Sequence, residues 1–153
     1  MKRYQFRLEA VRKMRSMLEE TCRSALGMLM VERQNLVELI ETIQHDIQST
    51  YAEQEATMAG GMKAGHAAFF PYAVAGKEAR IKEIEKEIAA LDVKIEEKKQ
   101  ELTQRRADLK LIENLKEKDF QTWRKAYNKE TDQKVEEMVQ LWGENLKEQG
   151  DQK

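Results

Sequence analysis

The chain has 153 residues, of which 36% are charged and 7% aromatic, and its formal net charge is −1. This balance excludes an overall electrostatic attraction to nucleic acid or to an anionic membrane surface. With 41% hydrophobic residues and one proline, the composition favours long helices with a narrow apolar seam over a thick globular core. The longest nearly apolar run, AAFFPYAVAG, is much shorter than the roughly 20 residues that a membrane-spanning helix needs.

The first predicted element is a long helix over about residues 5–57. Between Leu8 and Ile43, apolar residues recur at alternating steps of three and four, which is typical of a coiled-coil seam. Six basic side chains against Glu9 give residues 1–16 a net charge of +5. Because this basic cluster is short, a solvated helix start is favoured over a nucleic-acid site. An acidic protein surface as partner is a further alternative.

Several methionines of the first helix lie partly outside this seam. A methionine-rich surface can adapt to several partners, whereas methionines within the seam would fill packing gaps. The sequence leaves both alternatives open. The four residues are Met14, Met17, Met28 and Met30.

A break over about residues 58–75 follows the first helix. Residues 58–77 hold four of the seven glycines and the only proline, Pro71, so we expect a connecting loop there. About 18 residues are more than an antiparallel helix pair needs for its connection. We therefore predict a tip that docks a partner, in preference to a membrane-inserting tip. A connector in which the aromatic residues pack a small local core is left open. The aromatic residues of this loop, the tip residues, are Phe69, Phe70 and Tyr72.

The second predicted element is a helix over about residues 76–147. Its seam runs from Ile81 to Ile112 at the same spacing of three and four, between strong helix formers. Beyond Ile112 the register slips, as at a stutter, and an aromatic stripe follows. That stripe consists of Phe120, Trp123 and Tyr127.

Two long helices with one break predict an all-α fold, a long antiparallel two-helix coiled-coil hairpin in which helix 2 is longer than helix 1. We expect residues 1–153 to form a single elongated domain. Folding at the middle of the break would place Ile43 near Leu91 and Leu8 near Trp123. The charged residues would pair likewise, Arg15 with Glu117 and Asp119, and Glu32 with Lys98 and Lys99. The same heptads could also pair two chains, so a monomer and a coiled-coil dimer are both left open.

The two predicted helices differ in length by about 20 residues, so the end of helix 2 extends beyond helix 1. This end still carries an apolar stripe, and an exposed apolar stripe needs another surface to cover it. The stripe consists of Val135, Met138, Leu141, Trp142 and Leu146. This end of the chain is therefore the first indication of a protein partner.

No catalytic motif is present, since the sequence has no phosphate-binding loop, no dinucleotide fingerprint, no HExxH and no CxxC. Cys22 and His45 lie far apart on the first predicted helix and His66 lies in the predicted break, which excludes a metal site of the usual spacing. The single cysteine indicates a reducing compartment, and the start of the chain has no apolar region typical of a signal peptide. We expect no enzyme activity, no catalytic residue, no bound metal and no cofactor.

Three segments together resemble the FliJ family of flagellar type III export proteins. They are the basic start YQFRLEAVRKMR, the break with its glycines and aromatic residues, and the segment from LKLIENLKEKDF to EEMVQLW. The third segment is the most similar, through Glu130, Asp132, Gln133, Lys134, Glu136 and Glu137. The proline in FFPYAV departs from the family pattern.

The resemblance implies a non-enzymatic, cytoplasmic helical hairpin, similar to the γ stalk of rotary ATPases. Such a protein binds the hexameric flagellar export ATPase and the export gate protein, with export chaperones as further partners. It binds no nucleic acid and reaches the inner face of the cell membrane only through its partners. The alternative function is a self-associating coiled-coil scaffold or tether.

By this resemblance, the ends of the two helices form the ATPase-binding end, and the tip residues meet the other partner. The residues expected at the ATPase-binding end are Phe6, Arg7, Gln133, Lys134, Glu137, Met138 and Trp142. The residues expected at the tip are Phe69, Phe70 and Tyr72.

Overall fold

Two long helices, packed against each other, account for nearly all of the structure. The computed structural model describes residues 2–61 and 69–151 of the chain. Helix α1 spans Glu9–Ala59 and helix α2 spans Phe69–Asp151, with 51 and 83 residues. Within the described ranges there is no strand. The predicted all-α helix pair with a longer second helix is confirmed.

The ends of α1 follow from its local sequence. The backbone N–H of Glu9 donates to the carbonyl of Phe6 at 3.2 Å, and the acidic side chain of Glu9 suits the positive end of the helix dipole. At the other end, the Gly61 N–H donates to the Met58 carbonyl at 3.2 Å. Gly61 has a φ of 85°, a left-handed conformation that glycine adopts without steric cost. Gly61, with Gly60 before it, ends α1, as predicted from the glycines of the break.

Helix α2 begins earlier than predicted, at Phe69 instead of residue 76. Pro71 is the third residue of α2, and a proline is tolerated in a first turn because the N–H groups there have no intrahelical partner. Pro71 was predicted to lie in a loop, and the structure places it in the first turn of α2 instead. His66 and the rest of the predicted loop between 62 and 68 lie outside the described residues.

By their contacts, the residues fall into two compact units. One unit consists of residues 1–18 and 105–153. In it the Arg15 guanidinium donates to the backbone carbonyl of Asp108 at 2.8 Å, and the Lys116 ammonium donates to Glu9 at 3.0 Å. The predicted pairing of Arg15 with Glu117 and Asp119 is therefore wrong. Trp123, which was predicted near Leu8, packs against the ring of Tyr4, four residues earlier in the chain.

The other unit consists of residues 19–104. Its core joins α1 and α2 through four buried residues, Cys22, Leu26, Ile95 and Leu102, with Leu29 packed against them. The Cys22 thiol lies 3.7 Å from the Lys98 carbonyl, and the Arg33 guanidinium donates to Asp92 at 2.6 Å.

This register corrects the predicted pairing of Glu32 with Lys98 and Lys99. It also displaces Ile43 from Leu91, since Arg33 already lies beside Asp92 and ten further residues of helix rise by roughly 15 Å. In the observed register each residue of α1 meets a residue of α2 with a lower number than predicted. The early start of α2 acts in the same direction.

Neither helix contains, within its described residues, a segment that is long and apolar enough to cross a lipid bilayer.

Candidate functional site

In the unit of residues 1–18 and 105–153, aromatic packing attaches the start of the chain to α2. The Tyr4 ring packs against Phe120 and Trp123, with centroid distances of 5.1 and 5.5 Å. Trp123 also stacks on Phe120 and on Tyr127, at 5.8 and 5.2 Å. The stripe of three aromatic residues was predicted from its spacing. Its contact with Tyr4 was not predicted, because Tyr4 precedes the seam of α1 and has no place in its periodicity.

Polar contacts hold the same segment. The Tyr4 hydroxyl donates to the Lys116 carbonyl at 3.3 Å and to the Asp119 carboxylate at 3.2 Å. Partial burial, and then the hydrogen bond with Asp119, raise the pKa of Tyr4. The residues before α1 are therefore ordered along α2.

Glu9 is the centre of a small ionic cluster beside Tyr4. Its carboxylate accepts hydrogen bonds from Arg12, at 2.6 Å from Nη2 and 2.9 Å from Nε, and from Lys116 at 3.0 Å. The hydrogen bonds from Arg12, and next from Lys116, lower the pKa of Glu9 to about 2. Because these side chains are partly exposed, solvent screens the ion pairs. Their main consequence is that the first turn of α1 is fixed against α2.

The end of α2 is uncovered by any described part of the chain. Every residue from 131 to 151 is exposed, and six of these residues are large and apolar. The uncovered residues are Val135, Met138, Val139, Leu141, Trp142 and Leu146. We call this set the uncovered apolar face. Five of the six line one shallow groove together with Gly143, and Leu141 is the one that does not.

The end of α2 is amphipathic, with the uncovered apolar face on one side. Steps of three and four residues from Val135 through Met138 and Trp142 to Leu146 keep these side chains on one side of the helix. Trp142 is 70% exposed, which is unusual for a side chain whose burial is so favourable. Val139 was missed in the sequence analysis, although its position four residues after Val135 could have identified it. The arrangement is suited to binding another protein surface.

The residues expected at the ATPase-binding end fall into two separate groups. Phe6 is half-buried and lines a small groove with Tyr4, Glu9 and Lys116, and Arg7 is exposed beside it. The other group is exposed on the end of α2 and consists of Gln133, Lys134, Glu137, Met138 and Trp142. From residue 116 to residue 142 the helix rises by roughly 39 Å. The predicted set is therefore not one contiguous surface.

The tip residues lie on the first turn of α2 and not in a loop. Phe69 is 65% exposed and Tyr72 is 82% exposed, whereas Phe70 is half-buried. The rings of Phe69 and Phe70 meet edge to face at 6.0 Å. Two of the three aromatic residues are thus available to a partner.

The four methionines named in the sequence analysis do not fill gaps in the seam. Met14, Met17, Met28 and Met30 are all exposed. Their exposure agrees with the first alternative, a surface that can adapt to partners, and not with gap filling in the seam.

Comparison with known proteins gives one match. A family model described as flagellar FliJ protein matches residues 4–143, which is all but the two ends of the chain. No curated protein and no solved structure matches the chain.

Proposed function

The chain belongs to the FliJ family, and from this membership we propose that it serves flagellar type III export by binding the hexameric export ATPase. It acts without catalysing a reaction, in the manner of the γ stalk of a rotary ATPase. It also binds the export gate protein, and export chaperones are further partners. On this proposal it is cytoplasmic and reaches the inner face of the cell membrane only through these partners.

The observation that carries the proposal is the uncovered apolar face at the end of α2. An apolar surface of this kind, without cover from its own chain, marks an interaction site. Trp142 is the best candidate for its energetic centre, because tryptophan is enriched among the few residues that dominate binding energy. Gln133, Lys134 and Glu137 would form the polar border of this contact.

The groove at Phe6 is a second contact with the ATPase on this proposal. Phe6 and the exposed Arg7 lie in the same unit as the uncovered apolar face, at a different level of α2. Two separate groups of residues at different levels of one long helix are compatible with a single large partner such as a ring.

The tip residues are proposed to bind the export gate protein. Phe69 and Tyr72 are exposed aromatic side chains on a first helical turn, and aromatic residues contribute large contact areas at protein interfaces. They belong to the unit of residues 19–104, so this contact and the ATPase contact use different residues.

The test mixes the purified chain with the flagellar export ATPase and measures hexamer formation and the rate of ATP hydrolysis. The variant Met138→Ser with Trp142→Ser should weaken binding at least tenfold. Leu111→Ser is the matched control, because Leu111 is equally exposed on α2 in the same unit. An unaltered ATPase in the presence of the intact chain would contradict the proposal.

The alternative is a self-associating scaffold or tether, which the same uncovered apolar face would serve by pairing two chains. Sedimentation equilibrium separates the two functions. A dimer of the intact chain that dissociates in the Trp142→Ser variant, combined with no effect on the ATPase, would establish the alternative.

A further inference from the structure

A second uncharged surface lies on α1, within the unit of residues 19–104. Six residues follow the three-and-four spacing along one side of the helix, and all are exposed. They are Thr21, Ser24, Met28, Val31, Asn35 and Leu39. We call them the outer stripe. At about 100° per residue, the outer stripe lies roughly 150° around the helix from the buried Cys22 and Leu26.

The composition of the outer stripe is unusual for its position. The face of a helix that points away from the core normally carries the charged residues. On α2, the positions that lie about 160–220° around the helix from the buried Ile84 include Lys82, Lys86 and Glu97, all exposed, beside the exposed Val93. On α1, by contrast, Met28 is 72% exposed and Val31 is 60% exposed. No part of the described chain uses this face.

Gly27 borders the outer stripe and has no explanation within the described chain. A Cβ atom at Gly27 would meet nothing within 4 Å, so internal packing does not require a glycine there. A glycine in the middle of a helix weakens it relative to alanine. With Ala25 on the other border, Gly27 would let the backbone of a helix from another molecule approach closely.

The charges beside the outer stripe indicate what kind of helix would fit. The positions that flank the stripe hold Glu20, Glu32 and Glu38 together with uncharged residues, and they include no lysine or arginine. Within the described residues, none of these three carboxylates forms an ion pair. In paired helices, the flanking positions choose the partner through charge. A second copy of the outer stripe would place carboxylates beside carboxylates.

We propose that the outer stripe docks an amphipathic helix of a partner protein, in which lysine or arginine flanks the apolar residues. This surface uses other residues than the uncovered apolar face, the groove at Phe6 and the tip residues, so it adds a further contact to the proposed function. Asn35 would fix the register of the docked helix, because a polar residue in a seam specifies one alignment.

The test uses two synthetic helical peptides of three heptads with leucine in the seam. One carries lysine at all flanking positions and the other carries glutamate. Binding to the full chain is measured by fluorescence anisotropy. The lysine peptide should bind at least tenfold more tightly than the glutamate peptide. Glu20→Gln with Glu32→Gln and Glu38→Gln should abolish this preference.

Four serine substitutions locate the binding site. Met28→Ser with Val31→Ser should weaken binding of the lysine peptide at least tenfold. Val93→Ser, at an exposed residue of α2 in the same unit, and Trp142→Ser, in the uncovered apolar face, should leave it unchanged. Circular dichroism checks that every variant keeps its helicity.

Several results would overturn the proposal. They are no binding of the lysine peptide, equal binding of both peptides, and binding that survives Met28→Ser with Val31→Ser. A dimer of the chain alone that these two substitutions dissociate would also overturn it, since the occupant would then be a second copy. None of these results depends on the export ATPase, so the proposed function stands or fails separately.

Discussion

The ammonium of Lys116 on α2 donates a hydrogen bond of 3.0 Å to the carboxylate of Glu9 at the start of α1. The two residues are 107 positions apart in the sequence, so this contact fixes the register of the helix pair in its unit. Arg12 binds the same carboxylate from one turn further along α1. The cluster holds the start of α1 against α2, and we call it the Glu9 clamp. Acid can remove its negative charge by protonating the Glu9 carboxylate.

Acid should weaken the contribution of this clamp to stability. The pKa of Glu9 is lowered from 4.5 to about 2 in the folded chain, so the folded state favours the ionised carboxylate. The stabilisation is fully present above pH 4.5 and is lost as the pH falls towards about 2. Thermal unfolding followed by circular dichroism should give a lower melting temperature for the Glu9→Gln variant than for the intact chain at neutral pH. The two melting temperatures should converge in acid.

Glu144→Gln provides the control for this pH dependence, because Glu144 is exposed on the end of α2. It should leave the difference between neutral and acidic pH unchanged. If the melting temperatures of Glu9→Gln and the intact chain differ by the same amount at all pH values, the stabilisation does not come from the ionised carboxylate of Glu9.

Ile84 should be the most sensitive position of the seam. Among the residues that the structure describes, it is the one large side chain that is completely buried, with 0% exposure. Ile84→Ala should lower the free energy of unfolding by about 2–5 kcal/mol, since it removes apolar burial and leaves a cavity. Urea denaturation measures the change. Val93→Ala, at an exposed position two turns and a half further along α2, should change it by no more than about 0.5 kcal/mol, and equal losses would refute the assigned core.

Alanine should have opposite effects at two glycines. At Gly27 a Cβ meets nothing within 4 Å, so Gly27→Ala should raise the free energy of unfolding by up to about 1 kcal/mol through helix propensity. Gly61 has a φ of 85°, and Gly61→Ala should lower it by roughly 1 kcal/mol because a left-handed conformation strains any Cβ. Urea denaturation of both variants gives the signs. A loss of stability at Gly27 would mean that an unseen contact occupies its face.

The helix pair could be predicted from the sequence because its seam is periodic from Leu8 onward and again from Ile81. The start of α2 could not be predicted from Pro71. A proline breaks a helix when it lies in the interior but is accepted in the first turn, so its presence is compatible with either a loop or a helix start. An error of seven residues at that start was enough to misplace Arg15 and Glu32 against α2. Register depends on where the chain reverses, and periodicity alone does not fix that point.

The candidate site was predictable in part for a similar reason. Met138 and Trp142 follow helical spacing beyond the end of α1, so their exposure could be foreseen from helix lengths alone. The outer stripe on α1 could not, since deciding which of two seams faces α2 requires the register. Phe69 and Tyr72 were expected in a loop, and the structure instead places them on a helical turn that orients them.

The last prediction separates the two proposed partners. Phe69→Ser with Tyr72→Ser replaces exposed rings, so the free energy of unfolding should change by no more than about 0.5 kcal/mol. If the tip residues bind the export gate protein, this variant should lose that binding in a pull-down with purified components and still stimulate the export ATPase. Trp142→Ser should show the reverse, namely full gate binding and no stimulation of the ATPase, since it alters a different unit.

Phe70→Ser is the control for stability, because the ring of Phe70 is half-buried in the first turn of α2. Full gate binding by the Phe69 and Tyr72 variant would reduce the tip residues to the beginning of a helix.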